Sequence, residues 1–192
     1  MANVDWNALR DRAYKCACNH GFHEEEEFDL SRVKYLMLIL TEVSEAVEAD
    51  RKNRVTDKNN LAGVTELKDD SYFPAVFEAC IKDNIEDEIA DIIIRCLDLA
   101  GVYNLDVLMN YKPRIYNYEY FMSQSFCESA FELCRIITNC ADDLMDNFEY
   151  SIDDIISYVL NWCEALKIDI MRHIDLKIKY NETRPYKNGK NY

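Results

Sequence analysis

The chain has 192 residues, with 36 acidic side chains against 22 basic ones and a formal net charge of −14 at pH 7. That length supports one packed domain, and the charge argues against a nucleic-acid backbone or an anionic membrane surface as the main partner, because like charges repel. Four Gly and three Pro leave few breakers, so an all-α fold is expected, with a charge that suits gathering cations.

A first helix is predicted after Asp5, a good N-cap, up to Gly21, a good stop. The run Glu24 to Glu27 then reads as a solvated loop. A second helix is expected from about Ser31 to Asn53, with Val33, Leu36, Met37, Leu40, Ser44 and Val47 as its inward stripe. Glu42 and Glu45 point away from that stripe, but the segment is apolar nearly all round, so the acidic pair is expected to be sheltered.

Residues 54 to 72 are polar and weakly periodic and read as a loop with room for a short turn. Pro74 suits a first helical turn, and a helix is predicted from there to about Asn104, with Asp83-Asn84 as a point where it can break. Its core stripe is Ile85, Ile89, Ile92, Cys96 and Leu99, flanked by Glu88, Asp91 and Arg95. Arg95 is one turn past Asp91 and is expected to orient its carboxylate. Residues 105 to 121 are aromatic and irregular around Pro113; they suit a packed connector, a base pocket or a subunit contact. A fourth helix is predicted over about Ser123 to Asn147, and a fifth from near Ser151 to about Tyr180.

The eight Cys fall mostly inside helical apolar stretches, at Cys80, Cys96, Cys134, Cys140 and Cys163. Met1 to Asp5 has neither the basic nor the apolar region of a signal peptide. Reduced, core-filling cysteines in a cytoplasmic protein are expected. The longest apolar runs, such as Leu36 to Leu40, are too short to span a bilayer.

The two halves echo each other. Asn84 to Ile89 can be laid on Ser151 to Ile156, with Cys96 on Cys163, and Leu40 to Ala46 can be laid on Ile137 to Asp143. Glu42 then becomes Asn139, Glu45 becomes Asp142, Glu88 becomes Ile155 and Asp91 becomes Tyr158. The expected architecture is a four-helix-bundle-like core of two hairpins, related by duplication, with an N-terminal helix and a basic C-terminal tail.

Glu42-x-x-Glu45 and Glu88-x-x-Asp91 carry the sharpest chemical signal. Residues three apart share a helical face, so each helix can aim two carboxylates at one point, and four converging carboxylates make an oxygen cage for a hard divalent cation, with Mg²⁺ the expected ion. Near the C-terminus the charge reverses: Arg172, Lys177, Lys179, Arg184, Lys187 and Lys190 are opposed only by Asp175 and Glu182. On a continuing helix, Lys177, Asn181 and Arg184 stack on one face and offer a point charge, an amide and a planar guanidinium to phosphate oxygens and a sugar or base edge.

Leu40-Thr41-Glu42-Val43-Ser44-Glu45-Ala46, Asp87-Glu88-Ile89-Ala90-Asp91-Ile92-Ile93 and the K-x-x-x-N-x-x-R pattern from Lys177 to Arg184 resemble the MazG-like nucleoside triphosphate pyrophosphohydrolases. These belong to an all-α superfamily that also contains dimeric dUTPases. The resemblance covers roughly residues 30 to 104 and 170 to 190 of a single domain over residues 1 to 192. It implies Mg²⁺, with Mn²⁺ as a substitute, held by Glu42, Glu45, Glu88 and Asp91. Glu45 and Glu42 are the catalytic candidates, and Lys177, Asn181, Arg184, Lys187 and Lys190 are the nucleotide-binding ones. It also implies a homo-oligomer, dimer or tetramer. The gap between Glu45 and Glu88 is longer than in compact members and looks like an insertion, so substrate choice does not carry over.

Other motifs are weaker. Cys16-x-Cys18-x-His20-x-x-His23 is a weak zinc candidate, because its first three positions, spaced by two, splay their side chains around a helix instead of converging them. His173 reads as packing or surface, and no glycine-rich phosphate loop exists. The alternative to an enzyme is an acidic helical interaction module, or a nucleotide sensor without hydrolysis.

Overall fold

The computed structural model describes residues 4–23, 32–108, 118–142 and 145–189. The glutamate run 24–27, the connector around Pro113 with Tyr111 and Tyr116, and Lys190 lie outside the described residues. Every regular element described is helical, with no strand among the described residues. None of the described helices is long and apolar enough to cross a membrane.

Helix α1 spans Trp6–Asn19. The Asp5 carboxylate accepts the Ala8 N–H at 3.0 Å, and the left-handed turn at Gly21 (φ 78°) ends the helix, as expected. Any side chain at Gly21 would also strike the Tyr186 ring, 2.2 Å from its Cβ. Helix α2 spans Arg32–Arg51. Its inward face is Tyr35, Leu36, Ile39, Glu42, Val43, Ala46 and Ala49, which shares only Leu36 with the predicted stripe. Val33 and Met37 are more than half exposed. An almost uniformly apolar helix gives periodicity too little contrast to fix its rotation.

The segment read as a loop contains α3, Lys58–Thr65, whose N-cap Asp57 accepts the N–H groups of Asn59 and Asn60. Helix α4, Phe73–Cys80, and α5, Ile85–Val102, are separated at the predicted break, where Asp83 adopts φ 62°. The whole predicted stripe of α5 is buried, and Ile93, Leu97 and Ala100 on its other flanks are too. α5 is the central helix: it packs against α1, α2, α8 and α9.

A short α6, Tyr118–Met122, precedes α7, Phe126–Asn139. α7 starts later than predicted because Ser125 and Glu128 form a capping box that fixes the first turn. The long fifth helix is two helices: α8, Met145–Leu166, and α9, Ile170–Asn181. Lys167 turns left-handed (φ 60°), the Ile168 N–H bonds back to the Cys163 carbonyl at 2.9 Å, and Asp169 caps the next helix. Non-glycine residues take these turns, so the break is weakly marked in sequence.

The bundle core is α2, α5, α7 and α8, with α2 against both α5 and α7, and α8 against α5 and α7. Trp162, Tyr158 and Phe148 fill it. Ile155 and Tyr158, the positions laid on Glu88 and Asp91 in the echo, are fully buried, and the Tyr158 hydroxyl donates to the Ser129 carbonyl at 2.9 Å. That half is packed as core. None of the eight cysteines forms a disulfide, and Cys96, Cys140 and Cys163 are buried.

A smaller cluster of Phe73, Phe77 and Ile81 with Leu176 and Tyr180 clamps α4 onto α9, where Phe77 and Tyr180 stack at 4.5 Å. It holds the Lys177 face of α9 against α5. On the other side α1 lies close on α5: a Cβ added at Gly101 would sit 2.5 Å from the Tyr14 Cβ. Gly101→Ala is therefore expected to lower stability by about 1–3 kcal/mol through overpacking. A urea midpoint measures this, and an unchanged midpoint would mean that α1 backs away freely.

Candidate functional site

The carboxylates meet where α2 crosses the first half of α5. Glu42, Glu45 and Glu88 each bring an oxygen within 4.8 Å of the others. Glu42 and Glu88 are buried, at 6 % and 5 % exposure, whereas Glu45 is exposed. The α2 rotation explains the difference: Glu42 lies on the inward face, and Glu45, one turn on, lies at its rim. Asp91 lines the same cavity, but its Oδ2 is 2.8 Å from the Lys177 ammonium.

The cavity has a volume of about 280 Å³ and is walled by two further helices and the residues that follow them. α1 contributes Ala13, Cys16, Ala17 and His20; α9 contributes Lys177, Ile178 and Asn181; and Arg184 follows α9. Lys177, Asn181 and Arg184 thus face one space, as their one-turn spacing predicts. The Asn181 Oδ1 is buried with no hydrogen-bond partner, which leaves an acceptor for a ligand. Lys187 is held through its main chain, whose N–H donates to the His20 carbonyl at 2.8 Å. It does not line the cavity.

Lys177 is not the open phosphate-binding charge expected from the sequence. It is 5 % exposed and bonds both Asp87 Oδ2, at 2.7 Å, and Asp91 Oδ2. Burial alone would pull its ammonium down, but the charges of Asp91 and Asp87 outweigh that and hold it above the usual lysine range. Asp87, absent from the sequence reading as a site residue, also accepts the Asp83 N–H at 3.0 Å. It sits one residue before Glu88 on a helix that is buried all round, which is the signal that could have found it.

Arg95 also departs from expectation. Its Nε donates to Glu42 Oε1 at 2.9 Å, so it steadies the α2 carboxylate rather than Asp91. Two turns past Asp91, Asp98 takes His23: the Nε2–Oδ1 distance is 2.8 Å, and the Tyr35 hydroxyl lies 3.3 Å from Nδ1. His20 bonds the Cys16 carbonyl through Nδ1. The Cys-His segment therefore builds a wall, and its members do not converge as metal ligands among the described residues.

Crowding shows in the acids. Burial, then the charge of Asp91 against the pull of Arg95, pushes the Glu42 carboxyl up to about 7. Burial raises Glu88 to about 9; Lys177 opposes this, and Asp91, Asp87 and Glu45 add to it. A bound cation relieves both. The donor set is all oxygen, and among the described residues no ion pair reaches Glu45 or Glu88, so the residues present fit a hard divalent ion. No family model, curated protein or solved structure matches this chain at a significant level, so the reading of the site rests on its geometry and motifs.

Proposed function

We propose that this chain is a Mg²⁺-dependent nucleoside triphosphate pyrophosphohydrolase that converts an NTP or dNTP to the monophosphate and pyrophosphate. One observation carries the reading. Carboxylates from two helices converge on a cavity that Asn181 and Arg184 also line, with Lys177 buried against Asp87 and Asp91 at its edge. An all-oxygen acidic cluster facing an amide and a guanidinium suits a metal-bound polyphosphate better than it suits a solvated helix face.

Glu42, Glu45 and Glu88 would hold the ion, which supplies charge stabilisation on phosphate oxygens and a more acidic water. Arg95 fixes Glu42. Arg184 grips phosphate oxygens, and Asn181 offers its buried Oδ1 to a sugar or base edge. Glu45, the exposed carboxylate of the three, takes the proton of the attacking water. The water oxygen bonds to the α-phosphorus, the bond to the α–β bridging oxygen breaks, and pyrophosphate leaves with the electron pair.

The test is release of pyrophosphate and monophosphate from a panel of canonical and modified nucleotides, with Mg²⁺, Mn²⁺ or EDTA. Metal-dependent release, lost in Glu45→Gln, is expected. No release from any nucleotide, with a melting temperature indifferent to Mg²⁺, would favour the acidic interaction module.

A further inference from the structure

A cage built only to bind metal has no need of an ammonium inside it, yet Lys177 is buried there. An ammonium and a divalent ion compete for the same carboxylate oxygens. The ion pairs divide the acids into two sets. Arg95 serves Glu42, while Lys177 serves Asp87 and Asp91 together. Glu45 and Glu88 are left with no ion pair among the described residues, and their two charges match one divalent ion. With Glu42 they are also the three that come within 4.8 Å.

Lys177 cannot leave cheaply. Asp87 is 1 % exposed, and its Oδ1 already lacks a hydrogen bond. Removing the ammonium would strand a buried carboxylate, which is more costly than never having built the pair.

We propose that Lys177 is a built-in cation filling a second cation position of this site. The chain then binds a single divalent ion on Glu42, Glu45 and Glu88, and Asp91 positions Lys177 instead of ligating metal. This rests on the metal-dependent reading above. The ammonium offsets the charge of Asp87 and Asp91 beside the ion and holds the Asp91 carboxylate on itself instead of on the metal.

Mn²⁺ binding to the full chain, followed by the electron paramagnetic resonance of free Mn²⁺, tests it. The expected result is one ion per chain. Asp91→Asn should retain that ion with an affinity change below about tenfold, whereas Glu45→Gln and Glu88→Gln should each weaken it beyond the ~100-fold limit of outer-shell changes. Lys177→Met, folded in the presence of Mn²⁺, should take up two ions. Two ions on the parent chain, loss of the ion in Asp91→Asn, or a folded Lys177→Met that stays at one ion would each overturn the inference. If Lys177→Met does not fold, Asp91→Asn still decides. A parent chain that binds no Mn²⁺ at millimolar concentration would remove the metal-dependent reading itself, which is a distinguishable failure.

Discussion

Glu88→Gln is expected to abolish metal-dependent turnover while making the metal-free protein more stable. Loss of one ligand from a cage that offsets several kcal/mol of transition-state charge should cost at least about 10³ in rate. The stability effect has the opposite sign. Glu88 is 5 % exposed, and burial, opposed by Lys177 and reinforced by Asp91, Asp87 and Glu45, pushes its carboxyl up to about 9. A raised carboxyl pKa costs stability above the unfolded value of about 4.3. Between there and about 9 the unfolded chain has released a proton that the fold retains, so metal-free stability falls as pH rises. At pH 7 that cost is at most about 4 kcal/mol, and the amide removes it. The gain should vanish near pH 4, where both states are protonated.

Thermal melts in EDTA at pH 4 and pH 7, beside the pyrophosphate assay, separate the two effects. Mg²⁺ should raise the melting temperature of the parent and leave that of Glu88→Gln nearly unmoved. A variant that keeps its turnover would remove Glu88 from the site. A variant no more stable than the parent at pH 7 would mean that the crowding of charge is relieved by the fold itself.

The two acidic pairs were legible because spacing on a helix is a local property. So was the face shared by Lys177, Asn181 and Arg184. The core stripe of α5 could be read because Ile, Cys and Leu alternate with acids there, giving strong contrast. α2 lacks that contrast, so its periodicity leaves the rotation undetermined by part of a turn, and Glu42 lies on the inward face that the apolar pattern alone does not mark.

What sequence could not supply was partner choice across helices. Lys177 lies 90 positions from Asp87, and Arg95 lies 53 from Glu42; no local pattern links them. The same limit hid Asp98, which takes His23 75 residues away. The left-handed turn at Lys167 is silent in the sequence for a different reason: the residue is not glycine, and the helical periodicity of its neighbours continues through it.

Lys177→Met is expected to cost about 3–5 kcal/mol of stability, the range for breaking a buried ion pair from one side. Methionine nearly matches the lysine stem, so packing changes little and the loss is electrostatic. Asp87, at 1 % exposure, would retain only the Asp83 N–H as a partner. Its carboxyl is already pushed up to about 6, chiefly by burial and against the pull of Lys177; without the ammonium it would climb further. Below about pH 6 the Asp87 carboxyl is protonated in the parent too, so the pair contributes less and the deficit of the variant should shrink on acidification. Above pH 7 the deficit should persist through the ordinary lysine range, because the Lys177 ammonium is held above it. Adding Asp87→Asn to Lys177→Met should restore at least about half of the loss, since the amide oxygen can still accept the Asp83 N–H and no buried charge remains there. Chemical denaturation of the two single variants and the double at pH 5 and pH 8 closes this cycle. Additive losses, or a Lys177→Met deficit equal at both pH values, would show that Lys177 acts through its stem and not its charge.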